Sequence, residues 1–221
     1  NEGTNNPELP FYNNVQGAHS VLEFCRKNKI PKLLFFSSSR VLSPEENPYT
    51  ASKKYGENLC EAYKQCYGLE YEIVRPSTVY GPCHDLTSRL ITNWAINTLK
   101  NEPLVIYGDR NKTLDFTYID DFVDGTMLLL NNWDKCKNQA YDISGEQEVN
   151  LTELAGIFKE QSGSRELTNV IYKAPEIAQP QKVKIDISKM KELGYRPKIS
   201  IVEGVYKLLH FYRTEGSKWI K

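Results

Sequence analysis

The chain has 221 residues, a length that suits one large domain or one domain with a smaller lobe. Its 28 basic and 28 acidic side chains give a formal net charge of zero. This balance excludes the broad positive field that non-specific binding to nucleic acids or anionic membranes requires. Because no apolar run approaches the roughly 18 residues of a membrane span, we expect a soluble protein that binds neither nucleic acid nor membrane.

The cysteine pattern points to a reducing compartment. Five cysteines occur without a CxxC pair, and an odd number cannot form a complete set of disulfides: Cys25, Cys60, Cys66, Cys83 and Cys136. Residues 1–6 contain neither an initiator Met nor the basic-then-apolar pattern of a signal peptide. We therefore expect reduced thiols, a cytoplasmic location, and a chain that begins within a longer polypeptide.

Apolar spacing predicts alternating helices and strands in the first third of the chain. Helices are expected over Val15–Asn28 and Tyr49–Tyr67, a strand buried on both faces over Lys32–Phe36, and a further strand over Glu70–Val74. Gly68 is the expected C-terminal cap of the second helix. This order indicates a parallel sheet with helical crossovers.

Shorter elements are predicted in the rest of the chain. Helices are expected near Ser88–Leu99, Phe122–Asn131, Ser188–Leu193 and Val202–Tyr212, and strands near Leu104–Tyr107, Thr113–Ile119, Ala140–Ile143 and Val170–Tyr172. Asp120 is the expected N-cap of the helix that follows it. Asn150 with Glu153 is a variant of the capping box and predicts a further helix.

Tyr49 and Lys53 stand four residues apart, so a helix presents a phenol and an ammonium on one face. A nearby cation favours the phenolate form of a tyrosine, whose ordinary pKa is ~10. Such a pair can move protons at an alcohol or a ketone. By itself, the spacing is more typical of a solvated helix face than of a catalytic pair.

Polar segments follow both predicted strands. The triplet Ser37-Ser38-Ser39 comes directly after the first strand, and the second strand runs into Arg75–Pro82. Open α/β sheets bind their ligands at the carboxyl ends of the strands. We therefore expect these two segments and the Tyr49 helix to meet in one crevice.

In this order, the motifs resemble the extended short-chain dehydrogenase/reductases, in the branch of NAD-dependent nucleotide-sugar epimerases and dehydratases. The resemblance covers nearly the whole chain and rests on Asn13–Gly17, Phe36–Ser39, Tyr49 with Lys53, Arg75–Pro82, Val105–Asp109, Asp115–Asp121, Tyr141–Gly145 and Asp186–Lys189. It implies an α/β fold, a Rossmann-type doubly wound parallel sheet with a smaller α/β substrate domain. The family's glycine-rich segment for the pyrophosphate is not among these residues, so we expect only the C-terminal part of the sheet here.

The resemblance also implies how the chain divides and what it does. Residues 1–80 and about 113–139 would belong to the dinucleotide-binding domain, and 81–112 and about 140–221 to the substrate-binding domain. The implied function is an NAD(P)-dependent epimerase or dehydratase that acts on a nucleotide-linked sugar through a transient keto intermediate, with NAD expected and NADP open. A homodimer would form through the helix that carries Tyr49 and Lys53 and the helix before Ser37.

Residue roles follow from the same resemblance. Tyr49 is the implied acid/base, Lys53 holds the nicotinamide ribose and tunes Tyr49, and a serine binds the reacting sugar oxygen. Counting back from Val41 selects Ser38, which we prefer, whereas counting along the triplet selects Ser39. The implied cofactor-binding residues are Ser37, Tyr49, Lys53, Pro76, Ser77, Thr78 and Val79. The implied substrate-binding residues are Ser39, Thr78, Arg89, Leu104 and Tyr107.

Several positions depart from the family. Leu114 stands where relatives have an arginine that binds the nucleotide diphosphate, and a second arginine expected after Ala174-Pro175 is also missing. Arg89 and Arg110 are the candidates to replace them. The missing arginines favour an alternative, an NAD(P)-dependent reductase of a keto-sugar or small ketone, and a non-catalytic dinucleotide-binding relative also stays open.

Cys83-His84-Asp85 is the strongest candidate for a metal site in the sequence. Three adjacent residues do not easily converge on one ion, and no second cluster of ligands is visible. We therefore expect no metal, and a contact with substrate is the preferred role for this segment. His19 and His210 lie in helix-like stretches and are expected to pack or to face solvent.

Overall fold

The computed structural model describes residues 5–83, 85–163, 169–175 and 183–216. The chain divides into two compact units. Unit 1 comprises Asn1–Ser77, Val123–Ile143 and Ile177–Arg196, and unit 2 comprises Thr78–Phe122, Ser144–Glu176 and Pro197–Lys221.

Unit 1 is built on a parallel sheet, as the sequence predicts. Its strands are β1 (Lys32–Phe36), β2 (Glu70–Pro76) and β6 (Gln139–Ile143), in the order β1-β2-β6. The central strand β2 pairs Glu72 with Leu34 on one side and with Gln139 on the other. No other described strand pairs with β1, which forms the edge of this sheet.

Helices cover both faces of the unit 1 sheet. They are α1 (Glu8–Pro10), which continues through a π-helical segment (Phe11–Gln16) into α2 (Gly17–Lys27), then α3 (Pro48–Tyr67), α5 (Ile119–Asn131, which begins in unit 2), α6 (Trp133–Cys136) and α8 (Ser188–Glu192). On one face, Leu22 of α2 and Cys60 of α3 pack against Tyr71 and Ile73. Side chains alternate along a strand, so Glu72 points to the opposite face.

The ends of α3 follow from its sequence. The Asn47 side chain accepts the Thr50 N–H at 2.9 Å, and Pro48 occupies the first turn, where its missing N–H costs nothing. Gly68 closes the helix with φ +72°, which confirms the predicted cap. The prediction for Asp120 is wrong, because α5 begins at Ile119 and Asp120 lies inside its first turn.

Unit 2 combines two small sheets with three helices among its described residues. The strand β3 (Thr78–Tyr80) runs parallel to β5 (Thr113–Tyr118), which pairs antiparallel with β7 (Glu148–Asn150), and β4 (Leu104–Tyr107) runs parallel to β8 (Val170–Lys173). The helices are α4 (Leu90–Lys100), α7 (Leu151–Ser162) and α9 (Ile201–Arg213). As predicted, the Asn150 side chain caps α7 by accepting the Glu153 N–H at 2.7 Å.

The core of unit 2 is aromatic and aliphatic. Its largest fully buried side chains include Trp94, Phe116, Phe158 and Leu208. The rings of Trp94 and Phe158 meet edge to face at 6.0 Å, an arrangement that aromatic pairs prefer. Among the described residues, no helix is both long and apolar enough to cross a bilayer.

The units divide the chain at other places than the predicted domains. Residues 113–118 were expected in the dinucleotide-binding domain, but they form β5, which pairs with β3 and β7 inside unit 2. Conversely, 140–143 belong to unit 1 through β6, and α8 joins them there, since the Lys189 ammonium lies 5.5 Å from the Tyr141 ring centroid.

Candidate active site

Three buried serines follow β1. The Ser37 N–H continues the sheet ladder by donating to the Val74 carbonyl at 2.8 Å, while its hydroxyl is buried and has no hydrogen-bond partner among the described residues. The Ser38 hydroxyl accepts the Arg40 N–H at 3.2 Å and caps the 3₁₀ turn at 39–42. The carboxyl end of β1 therefore carries the polar groups predicted there.

The helix α3 brings Tyr49 and Lys53 to the same end of β1. The Lys53 Nζ donates a hydrogen bond to the Phe36 carbonyl at 2.9 Å and lies 5.9 Å from the centroid of the Tyr49 ring. Burial lowers the pKa of Lys53, because the ammonium loses contact with solvent. The predicted helical pair is thus joined, through its cation, to the strand that leads into the serines.

Asn14 contributes to the site in a way that the sequence interpretation missed. Its side-chain amide donates to the Ser52 hydroxyl at 2.8 Å, and that hydroxyl donates to the Tyr49 carbonyl at 2.7 Å. This chain of hydrogen bonds ties the π-helical segment to the first turn of α3. Asn14 lies in a motif on which the family resemblance rests, but its spacing from Ser52 gives no sign of this contact.

A cavity of about 230 Å³ lies beside Lys53. Its polar lining consists of Asn13, Asn14 and Lys53. Its apolar lining comes from the helical segment before β1 and from β1 itself: Gly17, Ala18, Val21, Leu33, Leu34 and Phe35. A mostly apolar lining with a few polar groups is typical of a small-molecule pocket.

Close packing between α3 and β1 depends on a glycine. A Cβ at Gly56 would lie 2.3 Å from the tip of the Phe35 ring. The Lys53 ammonium lies 5.7 Å from the centroid of the same ring. The absence of a side chain at Gly56 therefore lets α3 approach β1 closely enough for Lys53 to reach the strand.

An ion-pair network fastens α3 to the central strand. The Arg75 guanidinium forms a two-pronged pair with Glu57 at 2.9 and 2.6 Å and approaches Asp142 of β6 at 3.9 Å. Glu57 raises the pKa of Arg75, and burial raises the pKa of Asp142 to about 6. Arg75 lies in the segment predicted to border the crevice, and its side chain is engaged in this network.

Comparison with known proteins gives the family. The sequence model of the NAD-dependent epimerase/dehydratase family matches residues 1–144. The chain belongs to that family. It is 32% identical to a protein of Methanocaldococcus jannaschii provisionally named a UDP-glucose 4-epimerase, over 96% of this chain and 74% of that protein. It is 30% identical to UDP-glucuronic acid decarboxylase 1 of Xenopus tropicalis, over 95% of this chain and 53% of that protein.

A solved structure of the same family resembles the fold closely. The dTDP-glucose 4,6-dehydratase of Streptomyces venezuelae, crystallised with NAD bound, has a TM-score of 0.90 and 26% identity, and the match covers 100% of this chain and 72% of that one. The predicted fold class is confirmed. The chain spans about half the length of the Xenopus relative, so these residues match only part of that protein.

Four further residues that are predicted to bind the cofactor lie in β-strands or are hydrogen-bonded to one through the backbone. Pro76 ends β2, and the Ser77 N–H donates to the Ile143 carbonyl at 2.9 Å. Thr78 and Val79 lie in β3 of unit 2, where they pair with residues of β5. Roles of these four residues toward a cofactor stay predictions.

The residues that are predicted to bind substrate differ in whether their side chains are free to contact a ligand. Arg89 is held within unit 2 by Asp85 at 3.4 Å and by the Val79 carbonyl at 3.3 Å. Leu104 is only 2% exposed and packs in the core, so the predicted substrate contact by its side chain is not supported. Tyr107 is exposed.

The structure also shows where Leu114 and the segment that begins at Cys83 lie. Leu114 packs against the unit 2 core and pairs with Val149 across the β5–β7 ladder. The Cys83 carbonyl accepts a hydrogen bond from the Tyr212 hydroxyl at 3.1 Å, and His84 lies outside the described residues. Within the described part of the chain, no cluster of His, Cys, Asp and Glu could hold a metal ion.

Proposed function

We propose that this protein is an NAD-dependent epimerase or dehydratase that acts on a nucleotide-linked sugar, with Tyr49 as the acid/base. One observation carries the proposal: the Lys53 ammonium is hydrogen-bonded to the Phe36 carbonyl and lies 5.9 Å from the Tyr49 ring centroid, at the end of β1 where the serines follow. The names of the relatives support it, since they are sugar-nucleotide enzymes of three reaction types.

The residues present fit one part of NAD. Lys53 can donate to ribose hydroxyls, the buried Ser37 hydroxyl has no partner among the described residues, and the cavity beside Lys53 combines an apolar lining with two amide side chains, as small-molecule pockets do. Bound NAD supplies reversible oxidation at a sugar hydroxyl. Pro76 and Ser77, together with Thr78 and Val79, stay proposed as backbone contacts of the nicotinamide.

In this proposal the protein's own groups handle the proton. Tyr49, whose ring lies beside the Lys53 ammonium, takes the proton of a sugar hydroxyl and returns it later. The Ser38 hydroxyl accepts the Arg40 N–H, so its own proton can be donated to the reacting oxygen. Asn14 and Ser52 act as positioning residues that fix the first turn of α3.

A substitution of the base tests the proposal. Tyr49→Phe should lower turnover by about 10² to 10⁴, because it removes the proton-transfer path, while NAD still binds. Tyr206→Phe, which removes an exposed hydroxyl of α9, serves as the control and should leave turnover unchanged. Unchanged turnover in Tyr49→Phe would exclude Tyr49 as the base. The pair Ser38→Ala and Ser39→Ala decides which serine binds the reacting oxygen, by the larger loss of turnover.

A reductase of a keto-sugar or small ketone is the second candidate. The observation that favours it is Leu114, because its packing leaves no cation at the position where relatives bind diphosphate. Turnover of a free ketone with NADH or NADPH, without turnover of any UDP- or dTDP-sugar, would favour the reductase. Bound NAD without turnover of either class would favour the non-catalytic relative.

The proposal extends to assembly and location. Large apolar side chains stay exposed on α2 (Val21, Phe24) and on α3 (Tyr55), and a homodimer through these helices would bury them. Sedimentation should then show a dimer that Phe24→Asp converts to monomer. All five cysteines are free thiols, which supports the cytoplasm as the compartment.

A further inference from the structure

Two cations and two tyrosines gather where β4 and β8 end. The strands are parallel, Tyr107 pairs with Lys173, and the Gly108 N–H donates to the Lys173 carbonyl at 3.0 Å. Tyr172 precedes Lys173, and Arg110 lies in the turn after β4. Both strands therefore present their carboxyl ends at one edge, which is where parallel sheets bind ligands. We name these four residues, Tyr107, Arg110, Tyr172 and Lys173, the β4–β8 cluster.

Each cation of the β4–β8 cluster lies over an exposed ring. The Arg110 guanidinium carbon is 4.9 Å from the Tyr172 ring centroid, and the Lys173 ammonium is 5.7 Å from the Tyr107 ring centroid. A guanidinium stacked on a ring keeps the N–H donors of its edge available, and these donors match the geometry of phosphate oxygens. The rings thus hold the cations in place without neutralising them.

The acids described near the β4–β8 cluster do not form ion pairs with its cations. Among the described residues, neither Arg110 nor Lys173 has a carboxylate within ion-pair distance. The neighbouring Asp109 directs one carboxylate oxygen to the Asn111 N–H at 2.9 Å. Arg89 is the other candidate to replace the missing arginines. It differs because its guanidinium already forms an ion pair with Asp85.

We propose that Arg110 and Lys173 bind the diphosphate of a nucleotide-linked sugar, in place of the two arginines that this chain lacks. The inference rests on the proposed function and specifies one part of its substrate contact. Leu114 occupies one of the two positions with a packing side chain, so the anion requires donors elsewhere. The β4–β8 cluster supplies two cations for it.

Calorimetric titration of the natural polypeptide with UDP, dTDP and uridine tests the inference. Arg110→Ala and Lys173→Ala should each weaken binding of the diphosphates by about tenfold or more, as expected for a lost charge-assisted hydrogen bond. Uridine binding should not change, because uridine carries no phosphate. Lys159→Ala, which removes an exposed cation of α7 in the same unit, is the matched control. Raising the salt from about 0.05 M to about 0.5 M should weaken the wild type more than either variant.

The results distinguish a failure of this inference alone from a failure of the proposed function as well. Wild-type affinity for UDP and dTDP in both variants would overturn the role of the β4–β8 cluster and leave the proposed function intact. Equal losses for uridine and UDP would also overturn it, since the cations would then serve the nucleoside or the fold. A wild type that binds neither diphosphate would overturn both this inference and the nucleotide-sugar function, even if Tyr49→Phe abolished turnover of a free ketone.

Discussion

Glu72→Gln should make the stability of unit 1 less sensitive to pH. Glu72 lies in the middle of β2, its side chain is fully buried, and neither carboxylate oxygen has a hydrogen-bond partner among the described residues. Burial raises its pKa from the ordinary 4.5 to about 7, and the Lys32 ammonium only partly offsets this. Tyr141 and Cys136 are the other titratable groups close to it.

The sign of the effect follows from the direction of the shift. Because the folded pKa lies above the unfolded one, the folded chain holds this proton more tightly. Its contribution is favourable below the unfolded pKa and is lost as the pH rises through about 7. A shift of this size corresponds to about 3 kcal/mol. Glutamine has nearly the same shape but does not titrate, so the free energy of unfolding of the variant lacks this pH-dependent contribution.

Urea unfolding of the wild type and the variant at about pH 4.5, 6 and 8 measures the effect. From acid to alkaline pH, the stability of Glu72→Gln relative to wild type should rise by about 3 kcal/mol. Glu70→Gln is the matched control on the same strand. Lys137 and Trp133 bind the Glu70 carboxylate and lower its pKa, so its pH dependence lies below 4.5, and from pH 4.5 to 8 the stability of Glu70→Gln relative to wild type should change little. Stability curves of Glu72→Gln and wild type that run parallel in pH would refute the reasoning.

Three further substitutions probe the packing of α3 and α7 and the charge beside Tyr49. Gly56→Ala should destabilise the protein by about 1 to 3 kcal/mol, because a Cβ there meets the Phe35 ring. Gly156→Ala on α7 meets no atom within 4 Å and should stabilise it by about 0.5 to 1 kcal/mol; equal melting shifts in the two variants would contradict this account. Lys53→Met should weaken NAD binding and lower turnover, since the ammonium that lies beside the Tyr49 ring and the Phe36 carbonyl is lost. Wild-type NAD affinity and wild-type kcat in this variant would exclude a role for Lys53.

Local patterns in the sequence were sufficient to predict much of unit 1. The strand β1 is an apolar run after Lys32, and Gly68 ends α3 where the helical spacing stops. The pairing of Tyr49 with Lys53 needs only helical geometry. The strands β3 and β7 have three residues each, too few to show a period of two, and were not predicted.

Contacts between distant segments explain what the sequence interpretation missed. Whether β5 belongs to one unit or the other depends on its partners, which no local pattern reveals. The same holds for Asn14, whose contact with Ser52 crosses 38 positions. Arg75 was expected at the crevice, and only the structure shows it engaged by Glu57.

The position of β1 at the margin of its sheet has a consequence for work with this chain. Its residues are apolar on both faces, and apart from Lys32 the strand carries neither the charge nor the proline or bulge that usually guards such a margin. An edge strand without these features exposes backbone N–H and C=O groups that can pair with another extended chain. When the 221 residues are produced by themselves, we expect them to self-associate as their concentration rises. Their oligomeric state in solution will then reflect strand pairing along Lys32–Phe36 as well as any dimer formed through α2 and α3.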